Sequence, residues 1–293
     1  MVIQYVRCFY SNEKHNLSAA TNIQQKLCLV TVSSKEYWAG TKVAISSFLN
    51  HNKWFVGDIK IITSDARLRH KKTSFPRTEF LWSDSKLNKK LDCLCDALPE
   101  LNSYRSRLLV LNIFRLSSYT RVIYIDSDLL FLQSLEEHIT QAEFMAAPDP
   151  WLVRGFYRTR IGFEKIERNE ADETKCYTSF FNSGLLSIGK SYLNDKIYSD
   201  LLNLLTPEFY REVKDDIADE PVLNFYFEKY LKMLPETFNS SVHILVEQAQ
   251  QERQVGIHFT GKNKPWVFKS WLSLLKRSRL YLPYLINWIA NRY

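Results

Sequence analysis

Two carboxylates separated by one small residue, Asp126-Ser127-Asp128, follow directly on the apolar residues 122–125. Spaced i and i+2 on a chain leaving a strand, they can converge on one divalent cation. Their hard oxygen atoms suit Mg²⁺ or Mn²⁺. A solvated turn that happens to hold two acids has the same spelling. Aspartate is costly to bury without a partner, so two of them at the carboxyl end of a buried run point to a rim where something positive binds. Far downstream, His258 leaves a short apolar run and is followed by Gly261 and Lys264. A lone histidine is more often no ligand. Joined to Asp126 and Asp128, however, His258 completes a set of two carboxylates and one imidazole, and Lys264 offers a cation for phosphate.

The elements that must position these groups read as an alternation of strands and helices. Residues 122–125 have the both-faces-apolar character of a buried strand in a mostly parallel sheet. Residues 27–32 read as the first strand, ending in Ser33-Ser34-Lys35-Glu36-Tyr37, with a helix over 38–49. This is the opening of a nucleotide-binding unit without the glycine-rich fingerprint, so neither a dinucleotide fold nor a P-loop is supported. The plain alternative for Ser33 and Ser34 is that they only cap the helix. Tyr37 either stacks on a base or joins the core. Residues 58–63 read as a strand, 67–76 as a basic solvated loop, and 86–98 and 104–116 as helices. Arg107, near the start of the second, either reaches a phosphate or is simply exposed.

Beyond the central strand, 144–150 reads as a strand ending on Asp149 between Pro148 and Pro150. Residues 151–178 are charged and aperiodic, as in an insertion or mobile loop over a site. Asn182-Ser183-Gly184 opens a further strand, and 192–205 is an amphipathic helix. Asp215-Asp216 and Asp219-Glu220-Pro221 precede a helix over 222–230, where an N-cap role alone would account for Asp219. Residues 267–293 hold Lys269, Lys276, Arg277, Arg279 and Arg292 with no acidic residue. They read either as a basic amphipathic segment for an anionic membrane surface or as a terminal helix packed on the domain.

Composition narrows the classes. The 293 residues are 45% hydrophobic and 14% aromatic, ample for a sizeable core. No Gly/Ser- or Pro-rich linker marks a domain boundary. The net charge of +7 comes from scattered Lys and Arg residues without a zinc-finger, RNP or helix-turn-helix signature, so no nucleic acid is expected as partner. The five cysteines lack framework or zinc spacing and suit a reducing compartment. Residues 1–25 have no continuous apolar core of a signal peptide, and no stretch approaches the ~20 apolar residues of a spanning helix. The expected location is the cytoplasm, with peripheral contact at a membrane surface. Nothing fixes the oligomeric state, and a homodimer is among the arrangements allowed.

Taken in order, the motifs resemble glycosyltransferase family 8, in its glycogenin-like branch. They are Thr31-Val-Ser-Ser with Tyr37-x-x-Gly40, Asp126-Ser-Asp128, Ala147-Pro-Asp149-Pro, Asn182-Ser-Gly184, Asp219-Glu-Pro-Val-Leu-Asn224 and His258-Phe-Thr-Gly-Lys-Asn-Lys-Pro-Trp266. The resemblance implies a GT-A fold over 27–266, a single mixed, mostly parallel sheet flanked by helices. An N-terminal extension (1–26) and the basic segment (267–293) then stand outside it. It implies a retaining transfer of a hexose from a UDP-sugar, with Mn²⁺, or Mg²⁺ in its place. The metal would sit on Asp126, Asp128 and His258. Val32, Ser33, Ser34 and Tyr37 would hold the nucleoside and Gly261 and Lys264 the diphosphate, with Ser127 among the donor-binding residues and Arg107 a shifted candidate for the donor. Asp149, Asn182, Ser183, Asp216, Asp219 and Glu220 would face the sugar, with Asn182, Asp219 and Glu220 nearest the chemistry. The family often carries Gln where Glu220 stands. In glycogenin a tyrosine shortly before the metal histidine carries the nascent glucan, whereas residues 238–255 contain none. A separate glycan, glycolipid or protein acceptor is therefore expected. A self-glycosylating primer and a catalytically silent nucleotide-binding protein are the alternatives.

Overall fold

The computed structural model describes residues 26–150, 156–159, 162–165, 181–212, 219–247, 254–261, 264–267 and 281–290. The chain opens with β1 (Leu27–Val32), α1 (Trp38–His51), β2 (Asp58–Thr63), β3 (Thr78–Trp82) and α2 (Ser85–Ala97). Two 3₁₀ segments, Pro99–Tyr104 and Arg107–Arg115, lead to β4 (Arg121–Ile125), β5 (Leu129–Phe131) and β6 (Phe144–Pro148). A hairpin of β7 (Phe156–Thr159) and β8 (Gly162–Lys165) precedes β9 (Phe181–Gly189), α3 (Asp195–Leu204), α4 (Pro207–Glu212) and α5 (Glu220–Phe227). The chain continues through β10 (Lys232–Met233), β11 (Ser240–Ser241), α6 (Val242–Glu247), β12 (Gly256–His258) and α7 (Tyr281–Ala290).

Seven strands form the main sheet in the order β10-β6-β9-β4-β1-β2-β3. All pairings in it are parallel except those of β9, which runs antiparallel to both β4 and β6. From β1 the chain builds outward to β2 and β3, then returns to lay β4 on the other side of β1. That reversal opens a crevice at the carboxyl ends of β1 and β4, the place where open α/β sheets bind ligands. A smaller sheet, β11-β12-β5, stands beside this crevice, with β12 antiparallel to β5 and parallel to β11.

The expected alternation explains why β4 holds the centre. Val122 and Tyr124 face one core layer, with Leu186, Ile188 and the 3₁₀ residues Leu108 to Phe114; Ile123 and Ile125 face the other, with Phe48, Ile61 and Phe131. Each such fully buried side chain is worth ~1.5–3 kcal/mol of transfer free energy.

Some expectations are corrected. The helix expected over 104–116 is 3₁₀ in both segments. Residues 108–114 are all buried, and a run enclosed on every side has no single apolar stripe to distinguish 3.6 from 3.0 residues per turn. Part of the aperiodic stretch 151–178 is the β7–β8 hairpin; the rest lies outside the described residues. The edge strand β3 went unread because it follows a basic loop and is only partly buried. Ser33 and Ser34 do not cap α1, whose N-cap is Tyr37 and receives no side-chain bond.

Candidate functional site

Asp126 leaves β4 with its backbone N–H still bonded to the Gly184 carbonyl, 2.8 Å away on β9. Two residues back and on the same side, the Tyr124 hydroxyl donates to Asp126 Oδ1 at 2.6 Å. Burial, and then the charge of Asp126 and Asp219, push the Tyr124 phenol well above its ordinary pKa, so it stays a donor. Ser127 points the other way. Its hydroxyl donates to the Val32 carbonyl at 2.6 Å and lies 3.0 Å from Thr41 Oγ1, which is itself 2.6 Å from Ser33 Oγ. The ends of β1, α1 and β4 are thereby tied together.

Asp128, 7% exposed, reaches across to the smaller sheet. Its Oδ1 lies 3.0 Å from His258 Nε2, its Oδ2 accepts from Lys264 Nζ, and its carbonyl accepts from Phe259 N–H at 2.9 Å. His258 Nε2 is also 3.5 Å from Asp126 Oδ2. Burial opposes a charge on Asp128, but the Lys264 ammonium and His258 beside it hold the carboxyl well below the usual carboxylate range. The antiparallel register His258↔Leu129 sets this meeting of residues 130 positions apart. Gly184 makes room for it: a Cβ there would stand 2.6 Å from His258 Cε1 and 2.9 Å from Asn182 Oδ1.

One ligand atom each from Asp126, Asp128 and His258 lies within 4.8 Å of the others. Two carboxylate oxygens and an imidazole nitrogen, with one carboxylate held ionised, fit a divalent cation such as Mg²⁺ or Mn²⁺.

A second cluster sits at the amino end of β9. Asn182, Ser183, Asp219 and Glu220 are all buried. Asn182 Nδ2 donates to Glu220 Oε1 at 2.6 Å. Asp219 occupies the N-cap position of α5 without capping it; its carboxylate accepts from the Ser183 hydroxyl instead. The capping account of this acid is therefore overturned. Burial is the main force pushing Asp219 up to about 6, the nearby charge of Asp126 adds to it, and the Ser183 bond and Arg107 oppose it.

Arg107 lies within electrostatic reach of both clusters. It is accessible by surface area, yet protein atoms crowd its guanidinium, the combination expected of a group lining a cleft. Desolvation works against its charge, but the carboxylates of Asp219, Asp126, Glu220 and Asp128 outweigh it and raise its pKa. Its guanidinium also lies 5.3 Å from the Tyr104 ring. Arg107 is thus exposed and also faces the acids.

The remaining expected residues are placed as follows. Tyr37 is 39% exposed, packed edge-on to Trp266 at 5.4 Å with Lys264 Nζ 5.7 Å from its ring, so it belongs to a surface lip rather than the core. Ser34 turns away to Glu36, and the structure does not join it to the cluster. Asp149 is buried one residue beyond the Pro148–Phe181 pairing, close to the start of β9. Gly261 is exposed with φ of +88°. Asp216 lies outside the described residues. Thr41, Tyr124 and Asn239 escaped the sequence reading. Tyr124 had a signal in its i, i+2 alternation with Asp126; Asn239 had none.

Residues 28–270 match the profile of Glycosyl transferase family 8. Human Glycogenin-2 is 26% identical over 181 residues, covering 58% of this chain and 29% of that protein. Galactinol synthase 4 of Arabidopsis thaliana is 24% identical, covering 53% and 49% respectively. The chain thus spans half or less of these two relatives. Among solved structures, WbbM, titled a bifunctional glycosyltransferase, superposes with a TM-score of 0.62 at 16% identity, over 95% of this chain and 52% of that one. The galactosyltransferase LgtC, in complex with donor and acceptor sugar analogues, gives 0.57 at 15% identity, over 83% and 91%. These likenesses show the GT-A fold. With the profile spanning most of the sequence, the chain belongs to glycosyl transferase family 8, a family of glycosyltransferases.

Proposed function

We propose that the protein is a retaining hexosyltransferase that moves glucose or galactose from a UDP-sugar to a separate glycan, glycolipid or protein acceptor. The observation that carries this reading is the facing pair of clusters: a cation site with Lys264 on one side, and the buried Asn182–Glu220 and Ser183–Asp219 pairs on the other. The relatives' printed names, glycogenin, galactinol synthase and galactosyltransferase, support a hexose.

In this reading Asp126, Asp128 and His258 would hold Mn²⁺, with Mg²⁺ as the alternative, and the bound ion would supply charge to neutralise the diphosphate leaving group. Lys264 and Gly261 bind the diphosphate. Val32, Ser33, Ser34 and Tyr37 hold the uridine, and Ser127 fixes the floor beneath it. Arg107 lies against the donor between the two clusters. Asp149, Asn182, Ser183 and Asp216 orient the sugar, and the negative charge of Asp219 and Glu220 stabilises an oxocarbenium-like centre. The test is calorimetry with UDP, with and without Mn²⁺, followed by a UDP-sugar hydrolysis screen. Metal-dependent UDP binding and turnover of one UDP-hexose are expected, and Asp128→Asn should remove most of that turnover. UDP binding that ignores Mn²⁺ would overturn the proposal in favour of a catalytically silent binding protein.

The same reading extends to an anionic membrane as a peripheral partner. In α7, Tyr284 fills the core against Phe259, whereas Leu282, Ile286 and Ile289 leave an apolar stripe exposed. The stripe lies in the acid-free, basic segment 267–293, the pairing an interfacial helix uses. Deleting the segment would also remove Tyr284, so the apt variant replaces only Leu282, Ile286 and Ile289 by Ser. Loss of sedimentation with phosphatidylglycerol vesicles is expected, and unchanged sedimentation would reject the contact.

A further inference from the structure

Asn239 stands between a 3₁₀ turn (Glu236–Phe238) and β11, and only 1% of it is exposed. Its Nδ2 donates to Asn182 Oδ1 at 2.6 Å. The same Asn182 oxygen accepts from Gly184 N–H at 3.0 Å, leaving the Asn182 amide nitrogen for Glu220 Oε1 at 2.6 Å.

The direction of this chain of bonds is forced. The Gly184 backbone can only donate, so Asn182 must turn its oxygen toward it. Asn239 meets that same oxygen and must present its NH₂, because the flipped amide would set two acceptors face to face. The consequence is visible at the other end of the side chain. Asn239 Oδ1 is buried and has no hydrogen-bond partner among the described residues. An unmet buried acceptor costs ~1–3 kcal/mol, a burden found where a polar group serves something other than stability.

We infer that Asn239 is a positioning residue for transfer, locking the Asn182 amide so that it holds the Glu220 carboxylate in place at the sugar side. This rests on the reading of Asn182 and Glu220 as sugar-facing. The placement of Asn239 also gives the relay a route to the cation site. Asn239 leads directly into β11, where Ser241 is registered with His258. The strand that carries the metal histidine and the residue that aims the sugar-side amide are therefore adjacent.

The test compares the full chain with Asn239→Ala, Asn182→Ala and the double variant, in UDP-hexose hydrolysis with Mn²⁺. UDP–Mn²⁺ calorimetry reports whether the cation site survives. Asn239→Ala is expected to lower kcat on the order of 10- to 100-fold, the range for residues that act through a ligand-contacting neighbour, with UDP affinity unchanged. In the double variant it should add nothing to Asn182→Ala, because its effect passes through that amide. Asn239→Asp keeps the shape but removes the donor, and it should show the same loss. Wild-type kcat in both Asn239 variants, or losses that multiply in the double variant, would overturn the relay. Glu220→Ala separates the two levels. Full turnover there would overturn the sugar-side reading and the relay with it, whereas a loss there beside normal Asn239 variants would overturn the relay alone.

Discussion

The Ser127 hydroxyl donates to the Val32 carbonyl across 2.6 Å, binding the middle of the Asp-Ser-Asp turn to the end of a strand 95 residues earlier. Between Asp126 and Asp128, which turn toward His258, this serine turned toward β1 fixes the angle at which β4 releases them. Thr41 and Ser33 complete the tie. Ser127→Ala is therefore expected to cost ~0.5–1.5 kcal/mol in thermal or urea unfolding, since it removes the shorter of the two hydroxyl bonds to a part-buried carbonyl. UDP–Mn²⁺ affinity should fall less than it does in Asp128→Asn.

Gly184→Ala should act on the cation site without replacing a ligand. The added methyl would press on the His258 ring and the Asn182 amide at once. Mn²⁺ affinity measured by calorimetry should drop on the order of 10-fold or more, as for residues that orient metal ligands. Wild-type affinity would mean that β9 yields easily there.

Tyr284→Phe tests the seating of α7. The Tyr284 hydroxyl is buried with no hydrogen-bond partner among the described residues, while its ring packs on Phe259 and Trp266. Removing only the hydroxyl should leave the unfolding free energy unchanged or raise it, by up to ~1–3 kcal/mol of relieved desolvation. Tyr284→Ala should instead cost ~3–5 kcal/mol through the cavity it opens.

Asp219 gives the protein a pH signature. Its pKa rises from an ordinary 3.8 to about 6, chiefly through burial. The folded state thus binds this proton more tightly than the unfolded state. The associated stability is complete below about pH 4 and is lost as pH climbs through about 6. At pH 7.5 Asp219→Asn should be the more stable protein by ~1–3 kcal/mol, with the advantage shrinking toward pH 4. If ionised Asp219 serves transfer, kcat/KM should rise through about pH 6 in the wild type.

The sequence by itself determined the framework. The run at 27–32 coincides with β1, whose near-complete burial leaves continuous apolar spelling, and the run at 58–63 with β2, where Asp58 and Lys60 are only partly buried and the branched residues between and after them are enclosed. It also marked Asp126, Asp128 and His258 by chemical type, since acids at the end of such a run are costly without a counter-charge. What it could not decide is direction. Ser127 turns inward, Asp219 bonds Ser183 rather than capping α5, and Lys264 rests on Asp128. α7 shows its core with one face an apolar stripe to solvent. Apart from that stripe, each is a contact between residues far apart in the chain, set by how β4 lies on β1, how β12 lies on β5 and how α5 packs on β9. Local propensity carries no information about such registers. Asn239 is the clearest case: an asparagine after a turn spells only a turn, and its grip on Asn182 exists because two sheets meet beside the cleft.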